Sequence, residues 1–149
     1  MAITYKSPLT ASDLILKEQN PFDGYTRGQP VTVTLAAAQK IQLGSPLVRA
    51  KGVAGAKWTP VDATADLVDT NEIAFYLANE RGVFEATVCV TGGGDVKVAA
   101  IQMGNIVLKD KAIKDALKVN FAAFDATDFD KVKEMALQKQ IIIEEVLGA

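Results

Sequence analysis

The sequence predicts a mainly β domain that also contains helices, an α+β fold built as a small β-barrel or sandwich-like domain. Short β-rich segments alternate with Gly, Pro and Asn turns over residues 31–100, which is typical of such domains. The C-terminal third has apolar residues at helical spacing, followed by a β-branched segment. Residues 1–30 carry three of the five prolines and are predicted as an extended arm, so residues 31–149 are expected to form a single globular domain.

The predicted arm combines helix-breaking residues with large apolar side chains. Ser12 or Asp13 is expected to cap one short helical turn over residues 14–18. An extended segment cannot bury apolar side chains against itself. The arm therefore either packs along its own domain or contacts a partner, and the sequence leaves both open. The apolar residues concerned are Ile3, Tyr5, Leu14, Leu16, Phe22 and Tyr25.

The middle of the chain is predicted to form five strands. Their expected positions are 31–35, 47–50, 72–77, 83–90 and 96–103. Trp58 lies between two of them and is expected in the core rather than at an interface, because an indole ring buries a large apolar area. The glycines at 92–94 are interpreted as a strand–strand loop, since the spacing and the lysine of a phosphate-binding loop are missing.

The tail is predicted to contain two helices and a closing strand. The first helix, within residues 109–118, shows four apolar residues at helical spacing: Ala112, Ile113, Ala116 and Leu117. The second helix is expected over residues 129–139, started by a capping box with Thr127 as its first residue and Asp130 in the glutamate position. Residues 140–146 are rich in β-branched side chains and are expected to form the closing strand.

Residue types needed for common catalytic sites are missing. The chain has no histidine, which removes the usual general base near neutral pH and the commonest metal ligand. Its single cysteine, Cys89, lies in a β-branched run and is expected to be a buried, inert thiol. The carboxylates of Asp125, Asp128 and Asp130 lack the glycine and glutamate of a calcium loop and are interpreted as helix capping. We therefore expect no enzyme activity, no cofactor and no metal ion.

Charge and hydropathy limit the partners. The net charge is −2, and lysines and arginines form no dense cluster, so no direct nucleic-acid partner is expected. Apolar runs are far shorter than a membrane span, so no membrane partner is expected. The first third of the chain carries excess positive charge at Lys40, Arg49 and Lys51. These side chains either orient the protein on an acidic partner or are simply solvated, and the sequence favours the second.

Several short motifs resemble those of a known protein family. They are Gly44-Ser-Pro-Leu-Val followed by Ala50 and Gly52, Lys57-Trp-Thr-Pro-Val-Asp62, the apolar segment 73–77, Arg81-Gly-Val-Phe-Glu85, and the closing segment 135–144. Together they resemble the lambda-type head decoration, or cement, proteins of tailed bacteriophages. The resemblance extends over residues 26–146.

The resemblance implies a binding protein and not an enzyme. Members of this family associate as trimers at three-fold or quasi-three-fold positions on the outer face of the expanded head and hold the shell against packaged DNA. The implied partners are the major capsid protein and further copies of the chain. The implied location is the outer surface of the virion, with the host cytoplasm during assembly. An extended arm can add a strand to a capsid subunit, with the six apolar arm residues filling pockets on it.

Two other classes of function stay open at this point. One is another virion structural part, such as a tail-tube or baseplate domain. Trimers would favour the decoration protein, and hexameric rings would favour a tube. The other is a ligand-binding β-barrel or a small enzyme. The missing histidine argues against the enzyme, and a convergent apolar pocket would favour a ligand site.

Overall fold

The computed structural model describes residues 11–18, 28–81 and 87–145. These residues form a mainly β structure with helices, as the sequence predicts. The elements are, in chain order, α1 (Ala11–Leu14), β1 (Ile15–Glu18), β2 (Gln29–Leu35), β3 (Pro46–Ala50), β4 (Thr59–Pro60), a 3-10 turn (Thr64–Asp66), β5 (Asn71–Asn79), β6 (Gly94–Ile101), β7 (Ile106–Lys109), α2 (Asp110–Asn120), α3 (Ala126–Leu137) and β8 (Ile141–Glu144).

The larger sheet has five antiparallel strands in the order β2-β6-β5-β3-β4. Trp58, one residue before β4, returns to the opposite edge strand β2. Its N–H donates to the carbonyl oxygen of Thr32 at 3.1 Å, and its own carbonyl accepts from the N–H of Thr34 at 2.8 Å. The sheet therefore curls until its two edges meet at this bridge, without becoming a closed barrel.

Apolar side chains fill the inside of the curled sheet. Buried and half-buried positions alternate along β2, as expected for a strand with one face in the core. Trp58 is 1% exposed, which confirms that it is a core residue. The other buried residues of this inner core are Val31, Val33, Leu35, Ile41, Leu47, Ala74, Tyr76, Val88, Val98 and Ala100.

The outer face of β3 and β5 carries a second, outer core. A three-stranded sheet in the order β1-β7-β8 contributes to this core, with β1 antiparallel and β8 parallel to β7. The parallel pair needs a long connection, which α2 and α3 supply. Both helices bury the apolar faces that their spacing predicts, including Ile113 and Leu117 on α2 and Phe129 and Val132 on α3.

The N-cap of α3 lies two residues before the predicted one. Asp125 is the N-cap: its carboxylate accepts from the N–H of Asp128 at 2.8 Å, and the Asp128 carboxylate accepts from the N–H of Asp125 at 3.1 Å. The predicted capping box of Thr127 and Asp130 is wrong, because the helix begins at Ala126 and Thr127 already lies in its first turn. The interpretation of this acidic group as helix capping is confirmed for Asp125 and Asp128.

The segment around Cys89 is the second difference. Residues 87–90 do not form a regular strand. Val88 makes a single bridge to Ile41 through two backbone hydrogen bonds of 2.8 and 2.9 Å, and residues 83–86 lie outside the described residues. Val88 points into the inner core, so the next side chain in this extended segment points outward. Cys89 is therefore exposed, and the expectation of a buried thiol is wrong.

The described part of the predicted arm belongs to the globular domain. Its helical turn lies at Ala11–Leu14, and the stretch expected to be helical forms β1 instead. A single turn gains little from its own hydrogen bonds, whereas pairing with β7 satisfies the backbone of β1. Residues 11–18 are thus an edge strand and its lead-in, so the expected arm boundary at residue 30 does not hold for this stretch.

Candidate functional site

The six apolar residues expected to contact a partner do not form one site in the described structure. Ile3, Tyr5, Phe22 and Tyr25 lie outside the described residues. Leu14 is fully buried in the outer core, so this side chain packs along its own domain and is not available to a partner. Leu16 is 45% exposed and is the described member of the set that a partner can reach.

Leu14 is held in place by a close approach of three segments. A Cβ at Gly44 would lie 3.3 Å from Leu14 Cδ1 and 3.2 Å from the carbonyl oxygen of Ala112 on α2. Gly44 also has a φ of +89°, which favours glycine. The N-terminal segment, the turn before β3 and α2 therefore pack together around a position that only glycine fills without displacement.

One end of the molecule presents large apolar side chains to solvent. Hydrogen bonds join its segments: the Lys51 N–H donates to the Thr70 carbonyl at 2.9 Å, and the Gly104 N–H donates to the Lys139 carbonyl at 3.2 Å. The Lys51 ammonium, which donates to the Gln138 side chain at 3.1 Å, links the two pairs. We call this the loop-end surface, and its exposed apolar residues are Val53, Val68, Met103 and Leu137. Each is isolated in a loop or at a helix end, so no periodic signal in the sequence marks the set.

An ionic network lies at the same end. The Arg49 Nε donates to one carboxylate oxygen of Glu72 at 2.7 Å, and the Lys139 Nζ donates to the other at 3.4 Å. Burial raises the pKa of Glu72, but the hydrogen bond from Arg49 and the charges of both cations outweigh burial and hold that pKa below its ordinary value. Arg49 is thus neutralised by an ion pair.

The other two residues of the predicted positive group make hydrogen bonds to neutral side chains. The Lys51 ammonium donates to the side-chain oxygen of Gln138 at 3.1 Å. The backbone of Lys40 exchanges two hydrogen bonds with the Asn120 side chain, and Lys40 itself is exposed. Of the three residues, Arg49 is thus the one whose charge is paired with a carboxylate in the described structure.

Two further carboxylate positions have shifted pKa values with structural causes. A hydrogen bond with Asp66, burial and the Asp66 charge raise the pKa of Asp62. Hydrogen bonds from Lys57 and Thr34 lower the pKa of Asp95. Asp62 follows β4 and Asp95 lies at the start of β6, and their contacts join neighbouring segments of the curled sheet.

Within residues 11–18, 28–81 and 87–145, no three His, Cys, Asp or Glu side chains are grouped so as to hold a metal ion. In those ranges no helix has both the length and the apolar character needed to span a bilayer.

No protein-family model, no curated protein and no solved structure matches the chain.

Proposed function

We propose that the chain is a capsid decoration protein. It binds the outer surface of an expanded phage head through contact with the major capsid protein, associates there as a trimer, and stabilises the shell against the pressure of packaged DNA. Its action is adhesion, with no substrate converted.

The observation that supports this proposal most is the place of the resembling motifs in the fold. The first motif forms the turn at Gly44 and strand β3. The second contains Trp58 and β4, and β4 pairs with β3 while Trp58 pairs with β2. The two motifs thus form one connected piece of the curled sheet. Residues that build an architecture are what a family of contact proteins without catalytic residues would share.

The loop-end surface supports an adhesive role. Its four apolar side chains are exposed, although most of the other large apolar residues that the structure describes are buried in two cores. Grouped exposed apolar residues are typical of protein–protein contacts. Leu16 lies on β1, an outer strand of the small sheet, and adds a further exposed apolar contact.

Trimeric binding explains how modest contacts suffice. When one copy of a trimer is bound, the other two meet their sites at a high effective concentration, so the overall affinity exceeds that of one copy by orders of magnitude. Each copy that bridges two capsid subunits adds its own contacts to those that must break before the shell opens.

Binding to expanded, undecorated heads tests the proposal directly. We expect the purified chain to co-sediment with heads and to give density at three-fold positions in electron-microscopy maps. Hexameric rings would instead indicate a tail-tube part, and absence of binding would contradict the proposal.

Variants of the chain locate the contact. Leu137→Asp is expected to weaken head binding at least tenfold. Val119→Asp introduces the same charge at an exposed apolar position on α2, away from the loop-end surface, and is expected to leave binding unchanged. Combined replacement of Ile3 and Tyr5 by alanine tests the arm, with Lys6→Ala as the control. Thermal midpoints show that each variant is folded. If neither the loop-end nor the arm variant loses affinity, the contact lies elsewhere and both assignments are wrong.

A further inference from the structure

A groove opens where β5 and β6 separate. Its volume is about 360 Å³, which lies at the lower end of the range of about 300–1,000 Å³ found for ligand sites. We call it the β5–β6 groove, and the residues that line it are Asn79, Glu80, Arg81, Val88, Val96, Lys97 and Val98.

The floor of the groove is firmly held, and Val96 is its partly exposed apolar side chain. Val88 and Val98 belong to the inner core, and Val96 packs against that core. Val88 is fixed by its two backbone hydrogen bonds to Ile41, and Val98 lies opposite Val31 in the ladder between β2 and β6. A floor made of core residues does not need to rearrange to receive a ligand, which lowers the cost of binding.

The groove also lies beside a strand edge. The ladder between β5 and β6 ends at the pair of Asn79 and Val98, whereas β6 stays paired with β2 as far as Gly94. In the described ranges, Val96 and Lys97 thus have a strand neighbour on one side alone. The Arg81 N–H donates to the Asn79 side-chain oxygen at 2.9 Å, which turns the chain at the end of β5. Backbone groups of an extended segment can therefore pair at this edge.

The rim of the groove carries two cations. Five other cations, at positions 49, 57, 114, 133 and 139, make salt bridges in the described structure. The side chains of Arg81 and Lys97 make no such bridge to any described residue, so their charge is available to an anion. Glu80, the acidic residue of the lining, makes the rim less suited to a polyanion such as a nucleic-acid backbone than to a chain with a few carboxylates.

We propose that the β5–β6 groove binds an extended acidic peptide segment of a protein partner. The segment adds its backbone to the edge of β6, places an apolar side chain against Val96, and directs carboxylates to Arg81 and Lys97. The inference rests on the groove and its charges, and it is independent of the proposed role on a capsid.

The test uses the full chain and a labelled peptide with the sequence Ac-Val-Glu-Val-Glu-Val-NH2. Fluorescence anisotropy gives the affinity, and amide chemical shifts locate the site. We expect the peptide to bind at least tenfold more tightly than the matched Ac-Val-Gln-Val-Gln-Val-NH2, and to shift the amides of Val96 and Lys97. Lys97→Ala and Arg81→Ala are each expected to weaken binding at least fivefold. Lys118→Ala, an exposed lysine on α2, is the control and is expected to leave binding unchanged.

Each alternative outcome overturns the proposal. Equal affinity of the glutamate and glutamine peptides, or no binding of either, shows that the cations do not select an acidic chain. Binding of succinate but not of the peptide indicates a site for small carboxylates. Tighter binding of a single-stranded oligonucleotide than of the peptide, lost in the same two variants, indicates a nucleic-acid site.

Discussion

The guanidinium of Arg49 lies over the indole of Trp58, with its Cζ 4.4 Å from the ring centroid. Arg49 on β3 is also the cross-strand partner of Glu72 on β5, and their side chains form the 2.7 Å ion pair. Lys139, just beyond α3, binds the same carboxylate. The cation on the indole thus connects the inner core to the layer of helices through one glutamate.

We expect Glu72→Gln to lower the free energy of unfolding by about 1–2 kcal/mol at pH 7, because the substitution leaves two partly buried cations without their counter-charge. Urea unfolding followed by the fluorescence of Trp58, the single tryptophan, measures this change. Glu134→Gln, at an exposed position on α3, is the control, with an expected change below about 0.5 kcal/mol. Equal changes in the two variants would show that the network does not stabilise the fold.

The difference in unfolding free energy between the wild type and Glu72→Gln is expected to depend on pH, with a defined sign. Because the pKa of Glu72 is lowered in the folded state, its carboxylate stabilises the fold above the ordinary glutamate pKa of about 4.3. This stabilisation is lost as the pH falls through the folded-state pKa. The difference in unfolding free energy between wild type and Glu72→Gln is therefore expected to be complete at neutral pH and to shrink below about pH 4. A difference that grows on acidification would contradict the assignment.

The burial of Leu14 predicts that the N-terminal segment contributes to stability. Leu14→Ala is expected to cost about 2–5 kcal/mol, the range for a leucine removed from a close-packed core. Leu16→Ala, two positions away and 45% exposed, is expected to change stability by less than about 0.5 kcal/mol. Urea unfolding of both variants compares them. If Leu14→Ala is as mild as Leu16→Ala, residues 11–18 are an arm after all.

Elements with a strong local pattern are those that the sequence predicts well. Burial of one face of α2 gives apolar residues at helical spacing, and burial of both faces of β5 gives a continuous apolar run, so both elements appear as expected. No local sequence pattern marks Leu14 as buried, because its burial depends on Gly44 and Ala112, which are distant in sequence. The prediction for Cys89 is wrong for a related reason, because β-branched neighbours do not tell which face of an extended segment is covered.

The candidate sites are harder to predict than the strands. The segments of Val53 and Leu137 in the loop-end surface are connected through tertiary hydrogen bonds such as that from the Lys51 ammonium to the Gln138 side chain. The β5–β6 groove depends on where the strand ladder stops, at Asn79, and no residue pattern marks that point. Both sites come from tertiary pairing, so the linear sequence contains their residues but not their proximity.

The position of the α3 cap provides a test that separates the predicted from the observed helix start. We expect Asp125→Ala to cost about 1 kcal/mol, because the substitution removes the acceptor for the Asp128 N–H. Thr127→Ala, at the position first predicted as the cap, is expected to change stability by less than about 0.5 kcal/mol, since Thr127 lies exposed in the first turn. Thermal unfolding followed by circular dichroism ranks the two. The reverse order would place the cap at Thr127.

A comparison of two glycines isolates the packing of Leu14 from backbone strain. Gly44 and Gly52 both have positive φ, +89° and +69°, so alanine is strained at either position by about 1–2 kcal/mol. A Cβ at Gly52 would meet no atom within 4 Å, whereas one at Gly44 would press on Ala112 and Leu14. Gly44→Ala is therefore expected to cost about 1–3 kcal/mol more than Gly52→Ala, because the core must shift to admit the methyl group. Urea unfolding of both variants measures this excess. Equal losses would mean that the turn before β3 can move away from α2, and that the contact with Leu14 is not tight.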